Sequence, residues 1–342
     1  MTSPLLDVDR LEKVYLRTHA STGATTRVHA VRSISFQLQS GEVLCLVGES
    51  GSGKSTVGKM LADVVPPSSG TIRLHGQDLL ALTGRERDQA SLRIQLIHQD
   101  PFAALNPTRT VAQSISAPLV IHRHMKAKGP RMARLAELIE SVGLSPAREI
   151  LAKYPHQLSG GQRQRVVIAR ALTVDPEVIV ADEATSMVDV SLRVGILDTL
   201  KRLGDTLGAG FVFITHDFGV ARHFAFQQRL AVMYLGAFVE FGPTELIVSN
   251  PLHPYTTMLL SAVPLPDPRK NRTRRRLRPL GEEIPDAADA TVGCSFASRC
   301  PFATDRCQVE PPALVDVGGG HQVACHYVDR VAEETRAYRT WA

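Results

Sequence analysis

Residues 48–55 read Gly-Glu-Ser-Gly-Ser-Gly-Lys-Ser, and this octet constrains the fold more than any other stretch. It has the spacing GxxxxGK[ST]. It follows an apolar run, Val43–Val47, that suits a buried strand, and it precedes Lys54–Val65, where Val57, Met60, Leu61 and Val64 repeat at helical spacing. A glycine-rich turn between a buried strand and a helix lets backbone N–H groups wrap an anion, with the helix N-terminus adding positive potential. The candidate phosphate-binding residues are Gly48, Glu49, Ser50, Gly51, Ser52, Gly53, Lys54, Ser55 and Thr56. Lys54 is placed to reach β- and γ-phosphates and Ser55 to ligate Mg²⁺, so a nucleoside triphosphate is the expected ligand.

The surrounding pattern is α/β. Strand-like segments at Ile72–Leu74, Ile94–His98, Val178–Ala181, Phe211–Thr215 and Leu230–Tyr234 alternate with helical segments such as Arg131–Val142 and Val190–Leu203. Strands alternating with helices predict a largely parallel sheet. Residues 101–157 interrupt the alternation and are expected to form an inserted helical subdomain. The character changes at Pro264. Residues 264–281 read as a Pro- and Arg-rich linker, with seven basic residues among the ten of Arg269–Arg278, interpreted as a solvated spacer. Residues 282–342 form a small, irregular, cysteine-bearing extension. With 342 residues, about two domains are expected: 1–263 and the extension.

Two further segments carry chemistry. Strand 178–181 runs into Asp182-Glu183. Carboxylates at the C-terminal end of a parallel strand lie where ligands bind such sheets. Asp182 is expected to hold Mg²⁺ through water, and Glu183 to orient and deprotonate an attacking water. Leu158-Ser159-Gly160-Gly161-Gln162 opens a helical run to Leu172 and offers a second set of N–H groups to an anion. Two such helix starts about a hundred residues apart either grip one nucleotide within a chain or serve two chains reciprocally.

These motifs, with Thr215-His216-Asp217 following them in order, resemble the ATP-binding-cassette ATPases, a family with the P-loop NTPase fold. The resemblance selects the reciprocal arrangement: cassettes pair head to tail, and ATP lies between one chain's phosphate loop and the other's Ser159–Gln162. It also implies that Gln99, in His98-Gln99-Asp100-Pro101, contacts Mg²⁺ and senses the γ-phosphate. His216 would be the switch histidine, Tyr15 the aromatic that stacks on adenine, and Asp189 the aspartate of the interface-crossing loop. In Glu183-Ala-Thr-Ser-Met-Val-Asp189 the family more often has Pro at 184 and Ala-Leu at 187–188. Lys54, Ser55, Gln99, Ser159, Asp182, Glu183 and His216 are all present, which argues for a hydrolysing cassette.

Four segments resemble the cassettes of oligopeptide/dipeptide importers in particular: residues 98–107, Tyr154–Gly161, Asn250–Thr256 and the tail around Cys294, Cys300, Cys307 and Cys325. The spacing C-x5-C-x6-C-x17-C lacks the close pair usual for structural zinc. Iron–sulfur clusters also take four thiolates. The resemblance associates the four cysteines with a 4Fe–4S cluster. Cys45, alone in an apolar strand, reads as a small buried hydrophobe.

No run approaches the ~18 apolar residues a membrane span needs, and the N-terminus lacks the pattern of a secretory signal. A soluble subunit on the cytoplasmic face of the membrane is expected. The resemblance implies two permease subunits, a second cassette (a heterodimer favoured) and an extracytoplasmic solute-binding protein. The expected activity is ATP hydrolysis powering import of peptides or a related solute. A net charge of +5 does not by itself imply a nucleic-acid partner. The alternative, a soluble cassette ATPase acting on nucleic acid or ribosomes, is disfavoured by the single set of motifs. A redox role for the tail, gating transport, is a third reading.

Overall fold

The computed structural model describes residues 3–18, 23–264, 268–273, 275–281 and 292–338. Residues 1–2 and 19–22, 265–267 and 274 of the expected linker, and 282–291 and 339–342 of the extension lie outside the described residues.

Twelve strands are described: β1 (Leu6–Thr18), β2 (Thr25–Leu38), β3 (Val43–Val47), β4 (Ser69–Leu74), β5 (Gln77–Asp78), β6 (Ile94–Ile97), β7 (Val178–Asp182), β8 (Gly210–Thr215), β9 (Arg229–Tyr234), β10 (Ala237–Pro243), β11 (Val315–Asp316) and β12 (Gln322–Val323). They form an eight-stranded sheet in the order β11-β12-β10-β9-β3-β8-β7-β6 and a four-stranded sheet in the order β2-β1-β4-β5. Strands β6, β7, β8, β3 and β9 pair in parallel. Strands β10, β12 and β11 continue the sheet antiparallel.

The central strands read as unbroken apolar runs because both faces are covered. Cys45, Val47, Ile179, Ala181, Phe211 and Phe213 pack into one core, with buried residues of the helices Val111–Ile121, Gly160–Ala171 and Val190–Leu207. Their neighbours Leu44, Leu46, Val178, Val180, Val212 and Ile214 point the other way. They meet Val57, Met60 and Leu61 of the helix Lys54–Leu61 and Leu6, Val8, Phe36 and Ile72 of the antiparallel sheet. Cys45 is fully buried, and burial pushes its thiol well above the usual range.

The insert is helical, with segments Pro101–Ala104, Val111–Ile121, Lys128–Ser141 and Ala147–Ala152. Thr110 caps the second of these with a reciprocal box: its side chain accepts from the Gln113 N–H while Gln113 accepts from the Thr110 N–H.

The extension is joined to the cassette more closely than its composition suggests. Strand β12 pairs with β10 through Glu240↔Val323 and Phe241↔Gln322, and the Ala324 N–H donates to the Val239 carbonyl at 2.9 Å. Glu240, fully buried, accepts from the Leu252 and His253 N–H groups and pairs with His321 Nε2 at 2.7 Å. A buried carboxylate is tolerated only with such partners, and here they fix the tail to the sheet.

Candidate functional site: a phosphate pocket at the strand ends

The phosphate loop bends through three glycines with positive φ: Gly48 (153°), Gly51 (80°) and Gly53 (102°). A Cβ on Gly53 would stand 2.2 Å from the Ala30 carbonyl oxygen, and one on Gly48 at the same distance from that of Met233. Only glycine fits there, which is why the loop can pass so close to β2 and β9.

A pocket opens over the loop. It is lined by Ala30, Gly48, Glu49, Ser50, Gly51, Gly53, Lys54, Ser55, Thr56, Gln99, Glu183, His216 and Leu259. Residues that follow β3, β6, β7 and β8 thus meet at one edge of the sheet, as expected for ligands at the C-terminal ends of parallel strands. Lys54 is buried, and its Nζ donates to the carbonyls of Gly48 and Glu49 (2.8 Å each) and to Ser52 Oγ (3.0 Å). Burial lowers its pKa to about 8, opposed by the carboxylates of Glu183, Asp182 and Glu49. A phosphate in the pocket would restore the full charge by pairing with it.

Ser55 Oγ donates to Asp182 Oδ1 at 2.9 Å. Burial raises the pKa of Asp182, against the Ser55 hydrogen bond. These are hard oxygen donors of the kind magnesium takes, one or two from the protein and the rest from phosphates and water. Glu183 follows on a turn with φ 47°, a left-handed conformation uncommon for a residue with a side chain. Its carboxylate is held at both oxygens: Gln99 Nε2 donates to Oε2 at 2.8 Å, and His216 Nδ1 lies 3.0 Å from Oε1. The three side chains the sequence marked for sensing, base and switch form one connected group.

Other expected residues stand apart. Ser52 is buried behind the pocket, bonded to Lys54. Tyr15 lies on β1, 39% exposed, with Lys13 Nζ 5.0 Å from its ring centre, and is not among the lining residues. Ser159, Gly160, Gly161 and Gln162 open the helix Gly160–Ala171 and also do not line this pocket. Ser159 Oγ accepts from the Gln162 N–H (3.2 Å), and Gln162 Oε1 accepts from the Ser159 N–H (3.0 Å). This reciprocal cap satisfies two of the N–H groups at the helix start within the chain. Asp189, exposed, precedes the helix Val190–Leu207.

Sequence reasoning missed a second layer behind the loop. The Glu49 N–H donates to Tyr255 Oη at 2.8 Å. Arg299, from the extension, grips the Glu49 carboxylate with both terminal nitrogens at 2.7 and 3.1 Å. Phe296 packs edge-on against Tyr234 and tilted against Tyr255, with centroids 5.3 and 5.4 Å apart. One signal was available: a carboxylate inside an anion-binding loop requires a cationic partner.

The four tail cysteines, all unpaired thiols, line a single apolar pocket with Phe296, Phe302, Pro312 and Val331. Burial pushes Cys294 up to about 11 and Cys300 up to about 12, and raises Cys325. Among the described residues no three His, Cys, Asp or Glu side chains are grouped so as to hold a metal ion.

Fold and site together define a phosphate-loop ATPase of the cassette type. The comparisons agree. A family model described as ABC transporter matches residues 31–186, and one described as the C-terminal region of the oligopeptide/dipeptide transporter matches residues 239–307. The chain is 40% identical to the dipeptide transport ATP-binding protein DppF of Haemophilus influenzae, over 96% of this chain and 98% of that one. It is 39% identical to the di/tripeptide transport ATP-binding protein DppF of Pseudomonas aeruginosa, over 89% and 91%. A solved dimeric ATP-binding cassette in a post-hydrolysis state with ADP and Pi superimposes with TM-score 0.61 at 26% identity, covering 70% of this chain and 98% of that one. The chain belongs to the ATP-binding cassettes of the oligopeptide/dipeptide transporter family, and it is an ATPase.

Proposed function

We propose that this chain is the ATP-hydrolysing subunit of a peptide importer, bound peripherally to the cytoplasmic face of the membrane. The observation that carries the reading is the union, in one chain, of a filled phosphate-loop site with the peptide-transporter tail, along nearly the full length of peptide-transport relatives. No helix among the described residues is long and apolar enough to cross a membrane, so translocation falls to separate permeases. Two permease subunits, a second and different cassette, and an external solute-binding protein complete the assembly. The relatives reported handle peptides, and the nucleic-acid alternative gains nothing from them.

In this reading Lys54 and the loop N–H groups of Gly48–Thr56 bind the phosphates, and Tyr15 stacks on the adenine. Ser55, Asp182 and Gln99 would hold Mg²⁺, which when bound neutralises charge on the β- and γ-phosphates. Glu183 takes a proton from the attacking water. Gln99 and His216, bonded to its two oxygens, orient that carboxylate and report the γ-phosphate. Ser159, Gly160, Gly161 and Gln162 close on the nucleotide of the partner cassette, and ATP-driven closure passes to the permeases through the insert 101–157.

Tagged purification from native membranes in mild detergent, with mass spectrometry of what accompanies the chain, tests the assembly. Two multi-span permeases and a second cassette are expected. Recovery only from the soluble fraction, with ribosomal proteins or nucleic acid, would overturn it.

We further propose that Cys294, Cys300, Cys307 and Cys325 hold a 4Fe–4S cluster. Four thiols around one apolar pocket support this. A cluster supplies the positive charge that would keep these buried thiols as thiolates. Anaerobically purified protein is expected to be brown, and replacing Cys300 and Cys307 with Ser should remove the colour and the iron. Colour retained in the double variant excludes this ligand set.

A further inference from the structure

A carboxylate in a phosphate-binding loop works against the loop's purpose. Glu49 occupies the second position of the loop and lines the nucleotide pocket. Its carbonyl holds Lys54 Nζ, and its N–H is tied to Tyr255. Left alone, its partly exposed negative charge would repel an incoming triphosphate.

Arg299 removes that conflict. Its side chain is 5% exposed, and both terminal nitrogens reach the Glu49 carboxylate. Such a fork fixes orientation as well as charge. Tyr234 Oη lies 3.5 Å from Nη1, and the guanidinium carbon stands 5.8 Å from the ring centres of both Tyr234 and Phe296. Arg299 itself does not line the pocket, so it acts through Glu49. It closes the short helical turn Ala297–Arg299, immediately before Cys300 and five residues after Cys294. The Arg299 carbonyl also accepts from the Leu280 N–H at 3.0 Å. The guanidinium is therefore delivered to the loop only when the extension is folded onto the cassette.

We propose that Arg299 is a positioning residue for ATP: by pairing with Glu49 it cancels the loop's own negative charge, so that nucleotide affinity depends on the seated C-terminal extension. The inference rests on the ATPase site and not on the transported solute, so failure of the importer reading would leave it standing.

The test is a charge cycle on the full chain: R299Q, E49Q and the double variant. The readouts are calorimetric titration with MgADP, KM and kcat for ATP, and thermal melting. R299Q is expected to weaken MgADP binding and raise KM at least tenfold (about 1.4 kcal/mol), with kcat at saturating ATP within about twofold. Adding E49Q should bring the affinity back to within about threefold of the parent, because the repelling charge is then gone. An arginine that only braces the extension would give a lower melting temperature with no rescue. Unchanged affinity in R299Q, or a double variant as weak as R299Q, overturns the proposal. If R299Q does not fold, E49Q alone decides: MgADP affinity equal to or tighter than the parent supports it, and tenfold weaker binding overturns it.

Discussion

Glu183→Gln is expected to bind ATP with near-parental affinity and to lower turnover by about 10²–10⁴, the range for losing a general base. The amide keeps the size of the side chain and its ability to bond Gln99 and His216, both within 3.0 Å of the present carboxylate. What it loses is the basic lone pair that accepts the water's proton. Binding should survive because the groups that hold the phosphates, Lys54 and the loop backbone, are untouched. ATP would then accumulate in the closed state, and size-exclusion chromatography of the variant together with its partner cassette in MgATP should show a paired peak absent in ADP. Hydrolysis within about threefold of the parent would place the base elsewhere.

Gly53→Ala is expected to abolish measurable nucleotide binding, weakening it by about two orders of magnitude or more, while the far-ultraviolet circular dichroism is kept. Gly53 has φ 102°, and the added methyl would fall 2.2 Å from the Ala30 carbonyl oxygen. Backbone cannot yield as a flexible side chain can, so the loop must move. The central strands and their two cores do not depend on that loop. Gly51→Ala provides the contrast. Its φ of 80° also strains an alanine, but nothing lies within 4 Å of the added carbon. A smaller loss is expected there, and equal losses would show that strain rather than collision governs the loop.

The legible part of the fold is the part whose signals are local. Val43–Val47 and Val178–Asp182 are short apolar runs buried on both faces, and the glycine-rich octet between a strand and a helix leaves one reading. The expected start of the helix at Lys54 agrees with the structure, but its expected end at Val65 overshoots, since it stops at Leu61. Asp63 at φ 56° and the Pro66-Pro67 pair turn the chain away. The four-stranded antiparallel sheet was not anticipated because β1 and β4 pair across some sixty residues, interrupted by irregular register. The β10–β12 pairing and the grip of Arg299 on Glu49 escaped for the same reason, whereas the β9–β10 hairpin is local, closed across Leu235-Gly236, and its turn went unread. Partners 250 residues apart leave no periodic trace. Asp182 and Glu183 could be nominated because they end and follow a strand, and a parallel sheet collects such ends at one edge, whereas Gln99 and His216 were named only through the family resemblance. Tyr15 had only its place in the chain to recommend it, and it sits on an exposed surface of β1.

The pairing of β12 with β10 has a consequence for the solution behaviour of shortened forms. Without the tail, β10 would be the border of the main sheet, offering unsatisfied amides around Val239–Phe241 beside buried Phe238 and Phe241. A bare, apolar border strand is a template for other chains. The tail therefore serves as a built-in guard against self-association, and removing it would cost solubility before it cost any catalytic group.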